Sequence, residues 1–313
     1  MKFEFVKSLS KFIRSNPNTT LITADLGFGM FEPIIENFPN NYLNIGVCEQ
    51  NMIGVAAGMA LEGRQVIVYS IGNFSTLRCL EQIRNDLCYH NARVLIVTGG
   101  GGLSYGTLGM THHATEDLSI MRSLPGLQVV APATDLEAGE ATSALLASGR
   151  TSYLRLERKG CEEEQDSFLI GKSSMLRDGK DMTIVSTGSL LSEAVLASEM
   201  LKQEGINCRV INMATIKPLD VDAIEKASLE TGGIITLEEN NILGGLGGAV
   251  AEVCMDLGLQ PKYFFRLGLN DQYSEIVGSQ NYLRECYGLH HKKIAHLVRI
   301  AIKEGYANRP THN

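Results

Sequence analysis

Short apolar runs alternate with longer segments of helical periodicity along almost the whole chain, the pattern left by parallel strands joined through crossover helices. In the first half, Asn44 to Leu61 reads as a helix in which Met52, Val55, Ala56, Met59 and Ala60 recur at helical spacing. Val66 to Ser70 reads as a buried strand, and Thr76 to Tyr89 as a helix with Leu77, Leu80, Ile83 and Leu87 on one face. A strand at Val94 to Thr98 runs into the glycine-rich stretch Gly99 to Gly109. Beyond it come a strand at Leu127 to Ala131, a helix at Asp135 to Ala147 capped by Thr134, and a strand at Ser152 to Leu156.

The second half repeats the alternation. Met182 to Thr187 is a strand, Leu190 to Gln203 a helix ending at Gly205, Cys208 to Met213 a strand, and Ile234 to Leu237 another. Leu246 to Leu257 is a helix entered through Gly244 to Gly248, Tyr263 to Leu267 a strand, and Gln280 to Glu304 helical with breaks. Lys159 to Asp181 is charged, rich in glycine and serine and weakly periodic, which marks it as the connection. The expectation is two open α/β domains with largely parallel sheets, residues 1–165 and 170–313.

Composition narrows the partners. With 313 residues, 44% of them hydrophobic, the chain can fill two cores of ordinary size. A net charge of −7 with scattered lysines and arginines argues against nucleic acid or an anionic membrane, leaving small molecules and proteins. Seven separated cysteines without a Cys-x-x-Cys pair read as reduced thiols of a cytoplasmic protein. The charged stretch Met1 to Ser15 lacks the apolar run of a secretory signal, and no later run reaches membrane-spanning length.

Among chemistry-bearing residues, Glu49 stands out: an acid at the start of an apolar helix either complements the helix dipole or, if buried, needs a specific partner or a proton. Gly54 and Gly58 leave a flat strip on the same helix. Gly99 to Gly102 follows a strand as a phosphate cradle would, but lacks the Gly-Lys-Ser/Thr ending of a P-loop. Gly244 to Gly248 either forms a dinucleotide fingerprint or permits close packing. Adjacent His112 and His113 are solvated loop histidines or one is catalytic; they do not suit a two-histidine metal site. Arg155, Arg158 and Lys159 read as a solvated charge run or, beside a catalytic loop, as binders of a substrate phosphate.

The order of these pieces adds a further reading. Val47-Cys48-Glu49-Gln50-Asn51-Met52 with Gly54 and Ala56-Ala57-Gly58, then Val66 to Ser70, Phe74, Thr111-His112, Asp117-Leu118-Ser119 and Ala131-Pro132, resembles the transketolase superfamily of thiamine diphosphate enzymes. Ile216-Lys217-Pro218-Leu219-Asp220 and Leu237-Glu238-Glu239-Asn240 with Gly244-Gly245-Leu246-Gly247 resemble its C-terminal domain. The resemblance implies a pyrimidine-binding domain followed by the transketolase C-terminal domain. It implies that Glu49 hydrogen-bonds the coenzyme's aminopyrimidine and activates it, that Phe74 stacks on that ring, and that Asp25 lies near the cofactor. His112 is implied to orient substrate oxygens or move protons, and Arg158 to bind a substrate phosphate.

No Gly-Asp-Gly motif for diphosphate and Mg2+ occurs in this sequence. The resemblance therefore implies the second subunit of a split transketolase, with no metal ligands of its own. Its partner would be an N-terminal subunit carrying the diphosphate domain and holding Mg2+, in a heterotetramer of two plus two chains that moves a two-carbon ketol unit between sugars. Leu108 stands where many transketolases carry an aspartate that contacts a sugar hydroxyl, which implies an altered sugar substrate. The beta subunit of a 2-oxoacid dehydrogenase and a non-catalytic scaffold are the alternative readings.

Overall fold

The computed structural model describes residues 1–163 and 166–304. The expected domain limit at residue 165 and the end of the second domain beyond residue 304 lie outside the described residues. Among the described residues, twelve strands form two sheets: β1 Thr19–Thr23, β2 Tyr42–Asn44, β3 Gln65–Ile71, β4 Val94–Gly99, β5 Gln128–Val130, β6 Ser152–Leu156, β7 Ser174–Arg177, β8 Met182–Ser186, β9 Cys208–Asn212, β10 Thr215–Lys217, β11 Ile234–Asn241 and β12 Phe264–Leu269. One sheet has the order β10-β5-β6-β4-β3-β1-β2 and the other β12-β11-β8-β9-β7. Every pairing is parallel except β10 with β5 and β7 with β9.

Both faces of each sheet are covered, so the inner strands are buried on both sides and present apolar residues to each layer. Ile22, Val66, Val68, Val94 and Ile96 face one layer of the larger sheet, and Leu21, Ile67, Leu95 and Val97 the other. In the smaller sheet Met182, Ile184, Val210 and Ile235 oppose Val185, Ile211 and Ile234. An amphipathic helix at Lys2–Ser15, not expected from the sequence, buries Phe5, Val6, Leu9 and Ile13. It crosses the helix Asp135–Ser148 where Gly139 lets Glu4 and Ser8 come close. Thr134 caps that second helix, its Oγ1 accepting the Glu137 N–H at 3.1 Å.

Three expected elements differ. The helix expected from Asn44 begins at Glu49. Asn44 ends β2, and its Oδ1 accepts the N–H groups of Gly46 and Asp25, each at 3.0 Å, which stabilises a turn with Gly46 at φ 77° instead of a helix. The segment expected as one helix over Thr76 to Tyr89 is a 3-10 turn, a short α turn and a π-helical turn at Ile83–Cys88. The strand expected to stop at Leu237 continues to Asn241 and carries Glu238, Glu239 and Asn240 into the junction between the halves.

That junction is ionic. Asp117, Arg155, Glu157, Glu239 and Arg284 are all buried. Arg155 reaches Asp117 at 3.3 Å, Glu157 at 3.8 Å and the Glu239 carbonyl oxygen at 2.9 Å. Arg284 pairs with Glu239, stands 3.7 Å from Glu157 and donates to Ser189 at 2.6 Å. Burial works to raise the Glu239 carboxyl, but Arg284, the Leu103 N–H and Arg155 outweigh it and hold it below the ordinary range. Glu157 moves the other way because burial and neighbouring Glu239 exceed the help it receives from the arginines.

Removing one member of such a network leaves a buried charge unpaired, so Arg284→Met is expected to cost about 3–5 kcal/mol of unfolding free energy in urea titrations. Glu238, fully buried and accepting from the Leu246 and Gly247 N–H groups at 2.7 and 2.8 Å, has its carboxyl pushed up to about 7 by burial. Its native state therefore holds a proton more tightly than the unfolded chain. The resulting stability is complete below the unfolded carboxyl value and is lost as pH rises toward 7. Urea titrations between pH 5 and pH 8 should show the wild type losing up to about 3 kcal/mol relative to Glu238→Gln. A pH-independent difference would refute this.

Candidate functional site

Parallel strands deliver their following loops to one edge of a sheet, the edge where α/β proteins hold ligands. Asp25 follows β1, Glu49 follows β2, Phe74 and Arg78 follow β3, Tyr105 and His112 follow β4, and Arg158 follows β6. The sheet order brings segments far apart in sequence side by side.

Glu49 is 2% exposed, and its Oε2 accepts from Arg78 Nη1 at 2.8 Å. The buried acid thus has a specific cationic partner. No hydrogen bond to Oε1 is present among the described residues. Burial, and then the Glu49 charge, push the neighbouring Cys79 thiol up to about 12. The Arg78 guanidinium lies 4.3 Å from the centre of the Phe74 ring, whose edge-to-face neighbour is the His112 imidazole at 5.3 Å and 68°. Tyr105 stands 6.3 Å beyond His112 at 67°, and the Arg158 guanidinium is 5.9 Å from the Tyr105 ring centre. Glu49, Arg78, Phe74, His112, Tyr105 and Arg158 therefore form one continuous row.

The structure brings Glu49, Phe74, His112 and Arg158 into this row and leaves Asp25 outside its direct contacts. Asp25, exposed and with φ 56°, accepts from Asn44 Nδ2 at 2.9 Å and so ties the end of β1 to the turn before Glu49. Leu108 is exposed on the 3-10 turn Gly106–Leu108. Arg78 and Tyr105 went unrecognised in the sequence. Arg78 lies 29 positions from Glu49, and only the neighbouring loops of β2 and β3 make the pair.

The two histidines part company. His112 Nδ1 is 2.9 Å from Thr111 Oγ1 and its ring joins the row, whereas His113 is fully buried with Nε2 3.2 Å from the Gly106 carbonyl oxygen. The second half of the chain holds this loop in place. Leu103 N–H donates to Glu239 Oε2 at 2.9 Å, Gly278 N–H to the Gly106 oxygen at 3.2 Å, and Asn241 N–H to the Thr115 oxygen at 2.6 Å.

Both glycine clusters serve packing. Side chains at Gly99, Gly100, Gly101 and Gly102 would overlap Tyr69, Tyr105, Arg155 and Glu239 in turn. The amide groups at the start of helix Leu246–Asp256 are taken by Glu238, so the position a phosphate would occupy is already filled by a carboxyl. Arg155 leaves the expected surface charge run entirely, being 1% exposed in the junction. A cavity of about 670 Å3 opens beside Arg158 and is lined also by Asp135, Glu140, Cys161 and Glu163; of the row it includes Arg158 alone. Among the described residues no group of three or more His, Cys, Asp or Glu could hold a metal ion, and no helix is long and apolar enough to cross a membrane. All seven cysteines are free thiols.

Known proteins match both halves. Residues 5–162 fit the transketolase pyrimidine-binding domain and residues 171–294 the transketolase C-terminal domain. The chain is 36% identical over 310 residues to a protein of Methanocaldococcus jannaschii described as a transketolase C-terminal section, covering 97% of this chain and 96% of that one. It is 35% identical over 294 residues to a 6-deoxy-6-sulfo-D-fructose transketolase subunit of a Clostridium species, covering 93% and 90%. A solved split-gene transketolase, an inactive beta4 tetramer, superposes with a TM-score of 0.84 at 33% identity, covering 96% and 97% of the two chains. The chain belongs to the transketolase family and is homologous to the C-terminal, or beta, subunit of split transketolases.

Proposed function

We propose that this chain is the second subunit of a cytoplasmic two-chain transketolase that uses thiamine diphosphate to transfer a two-carbon ketol unit from a ketose donor to an aldose acceptor. The observation that carries this reading is the buried Glu49 carboxyl, anchored through Oε2 by Arg78, whose guanidinium also lies over the Phe74 ring, with no hydrogen bond to Oε1 among the described residues. A carboxyl group able to hold a proton complements an aminopyrimidine, whose ring nitrogen accepts a hydrogen bond and whose flat π surface suits an aromatic neighbour. When bound, the coenzyme supplies the electron sink that cleavage of the carbon–carbon bond requires.

Each residue then has a definable task. Glu49 holds a proton at the pyrimidine ring nitrogen, and Arg78 fixes its carboxylate in one orientation. Phe74 supports the ring. His112, fixed between Phe74 and Tyr105, orients substrate oxygens and passes protons at its imidazole. Arg158 binds the phosphate or other anionic end of the sugar. Asp25 acts at the cofactor edge through the turn it shares with Asn44.

The diphosphate and its Mg2+ are assigned to an N-terminal transketolase subunit. This assignment is supported by the absence of a Gly-Asp-Gly motif from the sequence and by the inactivity of the beta4 tetramer that this chain resembles. Two copies of each chain would make the working heterotetramer. The substrate is a sugar whose identity follows from a panel of ketose donors, with Leu108 at the position expected to set it.

Co-expression with the diphosphate-domain chain tests the assignment. Ketol transfer is expected only with both chains, thiamine diphosphate and Mg2+ present; turnover of ketoses by this chain alone would sink it. In the complex, Glu49→Gln should lower kcat by about 10²–10⁴-fold while the urea midpoint of the chain stays near that of wild type. An active Glu49→Gln enzyme would remove this carboxyl from the mechanism.

A further inference from the structure

We infer that Tyr105 is a positioning residue that holds His112 and Arg158 in register with each other, and that its ring performs this task rather than its hydroxyl. The inference rests on the roles proposed above for those two residues. Tyr105 has a fixed seat: its ring fills the space that a side chain on Gly100 would need, and Gly100 itself is at φ 82°, a conformation suited to glycine. The ring is half-buried, and burial raises its hydroxyl from the ordinary value although Arg158 opposes this.

From that seat the ring touches both neighbours. His112 stands edge-on at 6.3 Å, with Phe74 on its other side at 5.3 Å, so the imidazole is flanked by two aromatic rings. Arg158 forms no ion pair with an acidic side chain among the described residues, and its guanidinium lies 5.9 Å from the Tyr105 ring centre. An unpaired arginine samples many rotamers, and a cation–π contact restricts them. The Tyr105 hydroxyl makes no hydrogen bond among the described residues, so its removal takes no contact away from the chain. The loop also carries constraints from elsewhere: the turn that follows Tyr105 is tied by Gly106 to Gly278, so Tyr105 links the part of the site fixed by the second half of the chain to Arg158 on the strand side.

The test compares wild type, Tyr105→Phe and Tyr105→Leu in the two-chain complex. The mobility of the His112 imidazole is followed by NMR relaxation of labelled histidine, assigned with His112→Gln, and inorganic phosphate binding is measured by calorimetry. Tyr105→Phe should match wild type in both. Tyr105→Leu should raise the mobility of the His112 imidazole and weaken phosphate by about threefold or more, at an unchanged thermal midpoint of the complex. An unchanged His112 mobility in Tyr105→Leu overturns the proposal, as does a Tyr105→Phe variant as impaired as Tyr105→Leu, which would assign the role to the hydroxyl. If wild type fails to bind phosphate, the proposed role of Arg158 falls, and the His112 mobility alone decides the role of Tyr105.

Discussion

Five ionisable side chains removed from water between two sheets impose the constraint on which the rest of this molecule depends. Asp117, Arg155, Glu157, Glu239 and Arg284 come from both halves of the chain, and none has access to enough solvent to stand alone. Buried charges are tolerated only when partners and hydrogen bonds compensate the lost hydration, so each half requires the other in one relative placement. The Tyr153 hydroxyl at 2.6 Å from Asp117, Gln280 bonded to Glu239, and the Leu103 N–H on the same carboxylate complete the set. An apolar junction of equal area would tolerate sliding; this one fixes register.

That register is transmitted to the site. Glu239 accepts the Leu103 N–H at the start of the loop that carries Tyr105 and His112, while Asn241 holds Thr115 just beyond it. The second sheet contributes no side chain to the row from Glu49 to Arg158, yet it grips both ends of the segment at the row's centre. Glu238 keeps the adjoining glycine turn closed by bonding the first amides of helix Leu246–Asp256. Three successive residues, Glu238, Glu239 and Asn240, thus divide their tasks between a helix start, a loop and the first half of the chain, where Asn240 donates to Ser119 at 2.7 Å. The addition of β10 from the second half to β5 of the larger sheet ties the halves at backbone level as well.

Much of the architecture was legible because burial on both faces of a parallel strand writes itself as an unbroken apolar run. The strand beginning at Val94 and the helix start at Asp135 behind Thr134 appear where the sequence places them. Strand β1 escaped notice because threonines occupy three of its five positions, hiding a fully buried strand behind polar hydroxyls. The short β2, β7 and β10 have no run long enough to register; they exist because neighbouring strands offer them a ladder. The helix at Lys2–Ser15 shows a stripe of Phe5, Val6, Leu9 and Ile13, but the charges between them drew the reading toward what the segment was not.

For the site, local sequence determined the residue types and their order: a carboxyl opening an apolar helix, an aromatic after a strand, a histidine in a polar loop and an arginine beyond another strand. It could do so because each depends on its own element, whose ending sets where the side chain emerges. The ion pair of Glu49 with Arg78, the flanking of His112 by Phe74 and Tyr105, the withdrawal of Arg155 from the surface and the filling of the second glycine turn by Glu238 were decided by the tertiary structure alone. These contacts join segments separated by many residues, and their existence rests on the order in which strands pair within a sheet and on how two sheets meet. Neither is encoded in the periodicity of any one segment.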